Sequence, residues 1–283
     1  MRRRIVWIIV AAPLALITLA AGTAAALPAA RHIASALWNL PDRLPALPEN
    51  SLVHFEPGAD DYARDVSALL PAAVARVEAA QGRPFANPVT VGVYATPQTY
   101  AAANASGNAG AVGVTAFGRV VLSPTLNWPQ HRRLPAILTH EMSHAHLQSW
   151  GVWVRLPNWF KEGLGVMVSG GGGAEFVSER EARAAIERGE TIAIEDSGSF
   201  WNPSEIRFER APAQATPSHR TVMAYRQAGM FVSYLHDSDA PGFARMMNAI
   251  LDGRPFAEAV DAGYRQDVQS LWQKFAETAA TRK

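Results

Sequence analysis

Two histidines four residues apart, with a glutamate directly after the first, can bind a metal ion and move a proton. The chain carries this arrangement as His140-Glu141-Met142-Ser143-His144, inside the stretch LTHEMSHAHLQSW. On a helix turning about 100° per residue, His144 lies roughly 40° from His140 and Glu141 roughly 100° from it. Leu134, Leu138, Met142 and Ala145 fall on the other side and read as a core stripe. Two imidazoles on one helical face can share a tetrahedral zinc ion at about 2.0–2.1 Å. The glutamate between them cannot easily join the same shell but can reach a water held there, so the pattern supplies two ligands and a general base. His146, off that face, reads as a surface or core histidine.

A zinc site of this kind needs a third protein ligand. Gly and His three and six residues after His144 would supply one in the extended form of the motif, but those positions are Leu147 and Trp150. The alternative lies in LPNWFKEGLGVMVSG, residues 156–170, which reads as a second helix beginning near Asn158 and carrying Glu162. Trp150-Gly151 and a short connection allow this helix to fold back antiparallel and bring one carboxylate to the ion. Gly163 and Gly165 weaken a helix interior, and their use here is read as close backbone approach. Glu175, Glu179 and Glu181 are poorer candidates because the glycine run 170–173 separates them from the helix.

HEMSH followed by WFKEGLG resembles the gluzincin zinc peptidases of the MA-like group, in which a W-[FL]-x-E-G-[LF]-[AG] segment provides the glutamate ligand. The flanking segments VTVGVYAT, MAYRQAGMFVSYL and GRPFAEAVDAGYRQDVQSLWQKF are similar as well, so the resemblance spans residues 51–277. It implies one zinc ion held by His140, His144 and Glu162, with Glu141 as general base in amide hydrolysis of a peptide or protein substrate. It also points to Tyr225 as the donor that stabilises the oxyanion, with His219 as a rival because some members use a histidine there. The implied architecture is α+β and zincin-like: a small N-terminal α/β lobe with a short sheet, a mainly helical C-terminal lobe, and the active-site helix between them. One position departs from the pattern. Some gluzincins place an aspartate four residues after the glutamate ligand to orient a histidine, and here that position is Val166. Another group or a backbone carbonyl must then orient the imidazole.

The elements that must position these residues are legible in outline. The chain has 283 residues and 48% apolar content, enough for a proper core. A helix is expected from about Asp60 to Ala80, a strand over 88–96, and a hairpin or pair of short strands over 110–124. The strand near Val112–Phe117 has a second possible use, pairing with an extended peptide along a sheet edge. From residue 133 onward the pattern is mostly helical, interrupted by the glycine run and an irregular stretch at about 191–218. Phe200 and Trp201 in that stretch are candidates for pocket residues or loop anchors.

The first 27 residues read as a signal peptide or an N-terminal membrane anchor: three arginines, then an uncharged run to Leu27 that contains Ala24-Ala25-Ala26. Either reading sends the rest of the chain outside the cytoplasmic membrane, membrane-attached if the segment is uncleaved. Residues 28–50 carry four prolines and read as a linker. The chain contains no cysteine, which excludes disulfides, thiolate metal sites and cysteine nucleophiles. The net charge is +1, and removing the three leader arginines takes it to −2, so nothing here is the basic footprint of a nucleic-acid binder. A second reading of function is a non-catalytic zinc-binding envelope protein that uses the same fold to bind proteins. The intact Glu141 argues against it.

Overall fold

The computed structural model describes residues 28–195 and 205–281. The expected leader, Phe200 and Trp201 lie outside them. Among the described residues the chain is α+β and mostly helical, with a small mixed sheet of five strands. None of the helices described is long and apolar enough to cross a membrane.

The strands are β1 (Ala46–Leu47), β2 (Asn50–Phe55), β3 (Thr90–Val93), β4 (Gly113–Ala116) and β5 (Arg119–Leu122), in the order β1-β2-β3-β5-β4. β2, β3 and β5 are parallel neighbours, and the two outer strands are antiparallel to theirs. Parallel neighbours need long crossovers. The one from β2 to β3 is helix α2 (Asp60–Gln81), which follows the short helix α1 (Pro28–Trp38) and ends at Gly82 with φ +79°. The connection from β3 towards β5 contains α3 (Pro97–Ala103). β4 and β5 are joined by a two-residue turn, Phe117-Gly118, both at positive φ as a type I′ hairpin turn requires. This leaves β4 as the outer strand beside the next helix.

That helix, α4 (Leu134–Ser149), carries the HEMSH motif, and α5 (Asn158–Ser169) carries Glu162. Pro135 sits in the first turn of α4, where its missing N–H costs nothing. Leu134, Ile137, Leu138, Met142 and Ala145 join Val91, Val93, Val120 and Leu122 of the sheet and Tyr62, Val66 and Val77 of α2 in one core. The rest is helical: α6 (Glu179–Glu187), α7 (Pro217–Ser238), α8 (Ala240–Leu251), α9 (Phe256–Tyr264) and α10 (Val268–Thr281). Trp159, Phe160, Phe231, Phe256, Trp272 and Phe275 stack edge-on or tilted at 5.0–5.7 Å to tie α5 to α7, α9 and α10.

The structure corrects one boundary. Residues 28–50, expected as a linker, are folded onto the domain. Ser35 Oγ of α1 donates to the Ala102 carbonyl of α3 at 2.8 Å, and β1 is part of the sheet. Asp42 pairs with Arg119 beside the β4–β5 turn. The prolines misled because one of them, Pro41, sits where a helical turn tolerates proline: it opens a 3₁₀ turn packed so closely on Gly92 that a β-carbon there would lie 2.7 Å from its ring.

Candidate metal centre

α4 is buried on nearly every side. The core stripe expected from sequence faces the sheet and α2. The His-Glu face is covered too, by α5, β4 and the glycine-rich loop, so the ionisable residues are held inside the protein.

His140, His144 and Glu162 converge. His140 Nε2 lies 3.2 Å and His144 Nε2 3.3 Å from Glu162 Oε2, and the three ligand atoms all lie within 4.8 Å of one another. All three side chains are buried, Glu162 to 2% exposure. The group can hold a metal ion. Ligands at about 2.1 Å around a tetrahedral ion stand about 3.4 Å apart, close to the distances from Glu162 to the two imidazoles.

Each of these side chains is aimed by local structure. The glycine run after α5 brings the Gly172 carbonyl to His140 Nδ1 at 2.8 Å. That bond puts the proton on Nδ1 and turns the Nε2 lone pair towards the cluster. The approach needs glycine, because a β-carbon at Gly172 would lie 2.7 Å from the Ala136 carbonyl oxygen. The backbone carbonyl expected to orient an imidazole is therefore that of Gly172, in the glycine run 170–173. Val166 packs instead against Gly229 of α7. On the other side, Gly165 lets α5 approach the His140 ring, which a β-carbon would meet at 2.8 Å. Gly163 does the same towards α7, with the Ala228 carbonyl oxygen 2.6 Å from where a β-carbon would stand. His144 has Trp153 packed on it edge-on, ring centroids 4.7 Å apart. Its Nδ1 is buried with no hydrogen-bond partner among the described residues.

Glu141 is held separately, by β4. Thr115 Oγ1 lies 2.7 Å from Glu141 Oε2 and 2.9 Å from the Glu141 carbonyl oxygen. Gly113, on the same face of β4, leaves the space that the glutamate fills; a β-carbon there would come within 2.8 Å of Glu141 Cγ. β4 is itself pinned to α4 by Gln148, which donates to the Thr115 carbonyl at 3.2 Å and accepts from Gly118 N–H at 2.8 Å. Gly113 and Thr115 gave no signal in sequence, because their meaning depends on the strand lying beside α4.

The electrostatics follow from burial and pairing. Burial pushes the Glu162 carboxyl up, but the two imidazoles overcome it and hold the group far below the usual carboxylate range. Burial pushes His140 down, and the Glu162 hydrogen bond and charge, with Glu141 and the Gly172 carbonyl, more than reverse it. Lys161 is also buried, at 4% exposure. Burial lowers its ammonium to about 8 against the opposing pull of Glu162.

Tyr225 stands at the rim of this cluster, its ring parallel to His140 at 6.2 Å. His219, in the first turn of the same helix, is turned to Glu181 at 3.3 Å. Glu175 pairs with Arg133 and Glu179 with Arg183, so none of the three competing carboxylates enters the cluster. His146 is a core residue, donating its Nε2–H to the Arg83 carbonyl at 2.9 Å and packed on Phe85.

The chain was compared with family models, curated proteins and solved structures, and nothing matches.

Proposed function

We propose that the protein is a zinc-dependent peptidase of the gluzincin, MA-like type, with a zincin-like fold, acting outside the cytoplasmic membrane. The observation that carries this reading is the convergence of His140, His144 and Glu162 beside a separately held Glu141. A scaffold that only bound metal would need the three ligands and not the fourth group.

His140, His144 and Glu162 would hold the zinc, which when bound supplies a Lewis acid and a water acidic enough to ionise near neutral pH. The remaining work falls to the protein's own groups. Glu141 takes the proton of the attacking water at a carboxylate oxygen and returns it to the leaving amine. Tyr225, its ring parallel to that of His140, would donate a hydrogen bond from its phenolic hydroxyl to the developing oxyanion. The outer edge of β4 supports an extended peptide by strand pairing, so that the scissile bond lies next to Glu141. Thr115 fixes the base. Its hydrogen bond to a charged acceptor is worth about 1.5–3 kcal/mol.

Purified protein is expected to contain one equivalent of zinc and to cleave members of a peptide library. Cleavage should stop with chelator and return with zinc. Protein that binds no metal, or cleavage indifferent to chelator, would overturn the reading; metal without any cleavage would favour the non-catalytic alternative. A narrower expectation concerns Thr115. Thr115→Val keeps the shape and loses the hydroxyl, so kcat should fall on the order of 10-fold or more with zinc content unchanged, and Thr115→Ser should restore most of it. Equal kcat in Thr115→Val and wild type would remove Thr115 from the machinery.

A further inference from the structure

One buried cation beside the site has no role in the chemistry above. Lys161 lies one turn before Gly165 on α5, so the two share a face. Gly165 abuts the His140 ring, and Glu162 reaches His144. α5 therefore runs antiparallel to α4, and the Lys161 turn meets α4 at the His144 end of the cluster. Trp153 confirms the placement: its ring packs on His144 at 4.7 Å, and Lys161 Nζ sits over the same ring at 4.4 Å.

No carboxylate pairs with Lys161 among the described residues; its polar contact is the face of Trp153. The nearest negative group acting on it is Glu162, already shared between two histidines. The Lys161 stem is buried, but among the described residues no carboxylate is set against its ammonium, which is left available to an incoming anion. A second, independent observation points to the same place. His144 Nδ1 is buried and lacks an acceptor. It carries the proton whenever Nε2 serves as a ligand. The His144 ring and the Lys161 ammonium thus both lie against Trp153.

We propose that Lys161 is a specificity residue that binds a carboxylate of the substrate at the His144 end of the site. The preferred substrate is a peptide with an acidic side chain or a free C-terminal carboxylate close to the scissile bond. The four-carbon stem is flexible, so the ammonium leaves the Trp153 face and meets the incoming carboxylate as a point charge. This inference rests on the peptidase reading and deepens it.

The test is binding, which needs no turnover. Zinc-loaded wild-type protein is titrated calorimetrically with three probes: acetyl-Ala-Glu-Ala-amide, its glutamine counterpart, and the glutamine peptide with a free C-terminal carboxylate. At least one carboxylate probe should bind 10-fold or more tighter than the glutamine amide, and which one does identifies the source. In Lys161→Met the carboxylate-to-amide ratio should fall to near one, with zinc content and melting temperature measured alongside. Lys161→Arg should retain part of the preference. Equal binding of all three probes by wild type overturns the proposal, whether or not Lys161→Met folds. So does a preference that survives in zinc-loaded Lys161→Met. Failure of the peptidase reading looks different, because it appears as absence of zinc or of cleavage in the chelator-controlled library.

Discussion

Glu141→Gln should bind zinc as wild type does and lose peptide hydrolysis by about 10²–10⁴-fold, the usual worth of a positioned general base. The geometry makes this substitution a clean one. Glu141 is not one of the three converging ligands, so its charge is not needed to hold the ion. Glutamine has the same volume, so it fits the space left by Gly113. Its amide oxygen can still accept from Thr115 Oγ1, as the carboxylate does at 2.7 Å. What changes is the ability to take a proton. Zinc content by mass spectrometry, melting temperature and turnover of a library-derived peptide are the three readouts. Unchanged turnover would sink the assignment of the base. Lost turnover together with lost zinc would instead place Glu141 in the ligand set.

The convergence of His140, His144 and Glu162, and the helices that carry them, were readable because helical periodicity is local. His140, His144 and Glu141 acquire their relative directions from 100° of turn per residue, and α4 and α5 begin where Leu134 and Asn158 indicated. Gly163 and Gly165 also carried a correct local signal, since glycine inside a helix costs stability and asks for a packing reason. The structure supplies two, Ala228 and His140. What could not be read depends on contacts distant in sequence. Thr115 is an ordinary strand residue until β4 is laid against α4, and a period of two says only that it shares a face with Gly113. Gly172 looked like part of a glycine run that separates elements, yet its carbonyl sets the tautomer of His140. The proline-rich segment before residue 51 failed for a different reason: proline is punctuation both between elements and in the first turn of a helix, and composition alone does not separate the two.

The metal-free protein should show a pH dependence opposite to that of the loaded one, and Glu162→Gln should erase the difference. Glu162 is depressed by burial-opposed pairing with the histidines. Its contribution to stability is present above the ordinary carboxylate value, about 4.3, and is lost as pH falls through its lowered value. His140 is raised. Its contribution is complete below the ordinary histidine value, about 6.5, and is lost as pH rises through its raised value. Without metal, the two contributions coexist between about pH 4.3 and 6.5, where a protonated His140 faces ionised Glu162. Metal needs the imidazoles neutral, so binding must expel that proton and strengthens as pH rises. The gap in melting temperature between zinc-loaded and chelator-treated protein should therefore widen steadily from pH 5.5 to pH 8. A gap that stays constant or narrows over this range would show that His140 is not protonated in the metal-free form. In Glu162→Gln the direct carboxylate ligand is gone. Outer-shell partners alone are worth about 10–100-fold in metal affinity, so losing a direct ligand should cost more than 100-fold. At micromolar zinc the melting-temperature gap should then vanish at every pH. A Glu162→Gln protein that still takes up one equivalent of zinc with wild-type affinity would mean that the carboxylate at the centre of this cluster, 3.2 and 3.3 Å from the two imidazoles, serves as a structural ion-pair partner and not as a ligand.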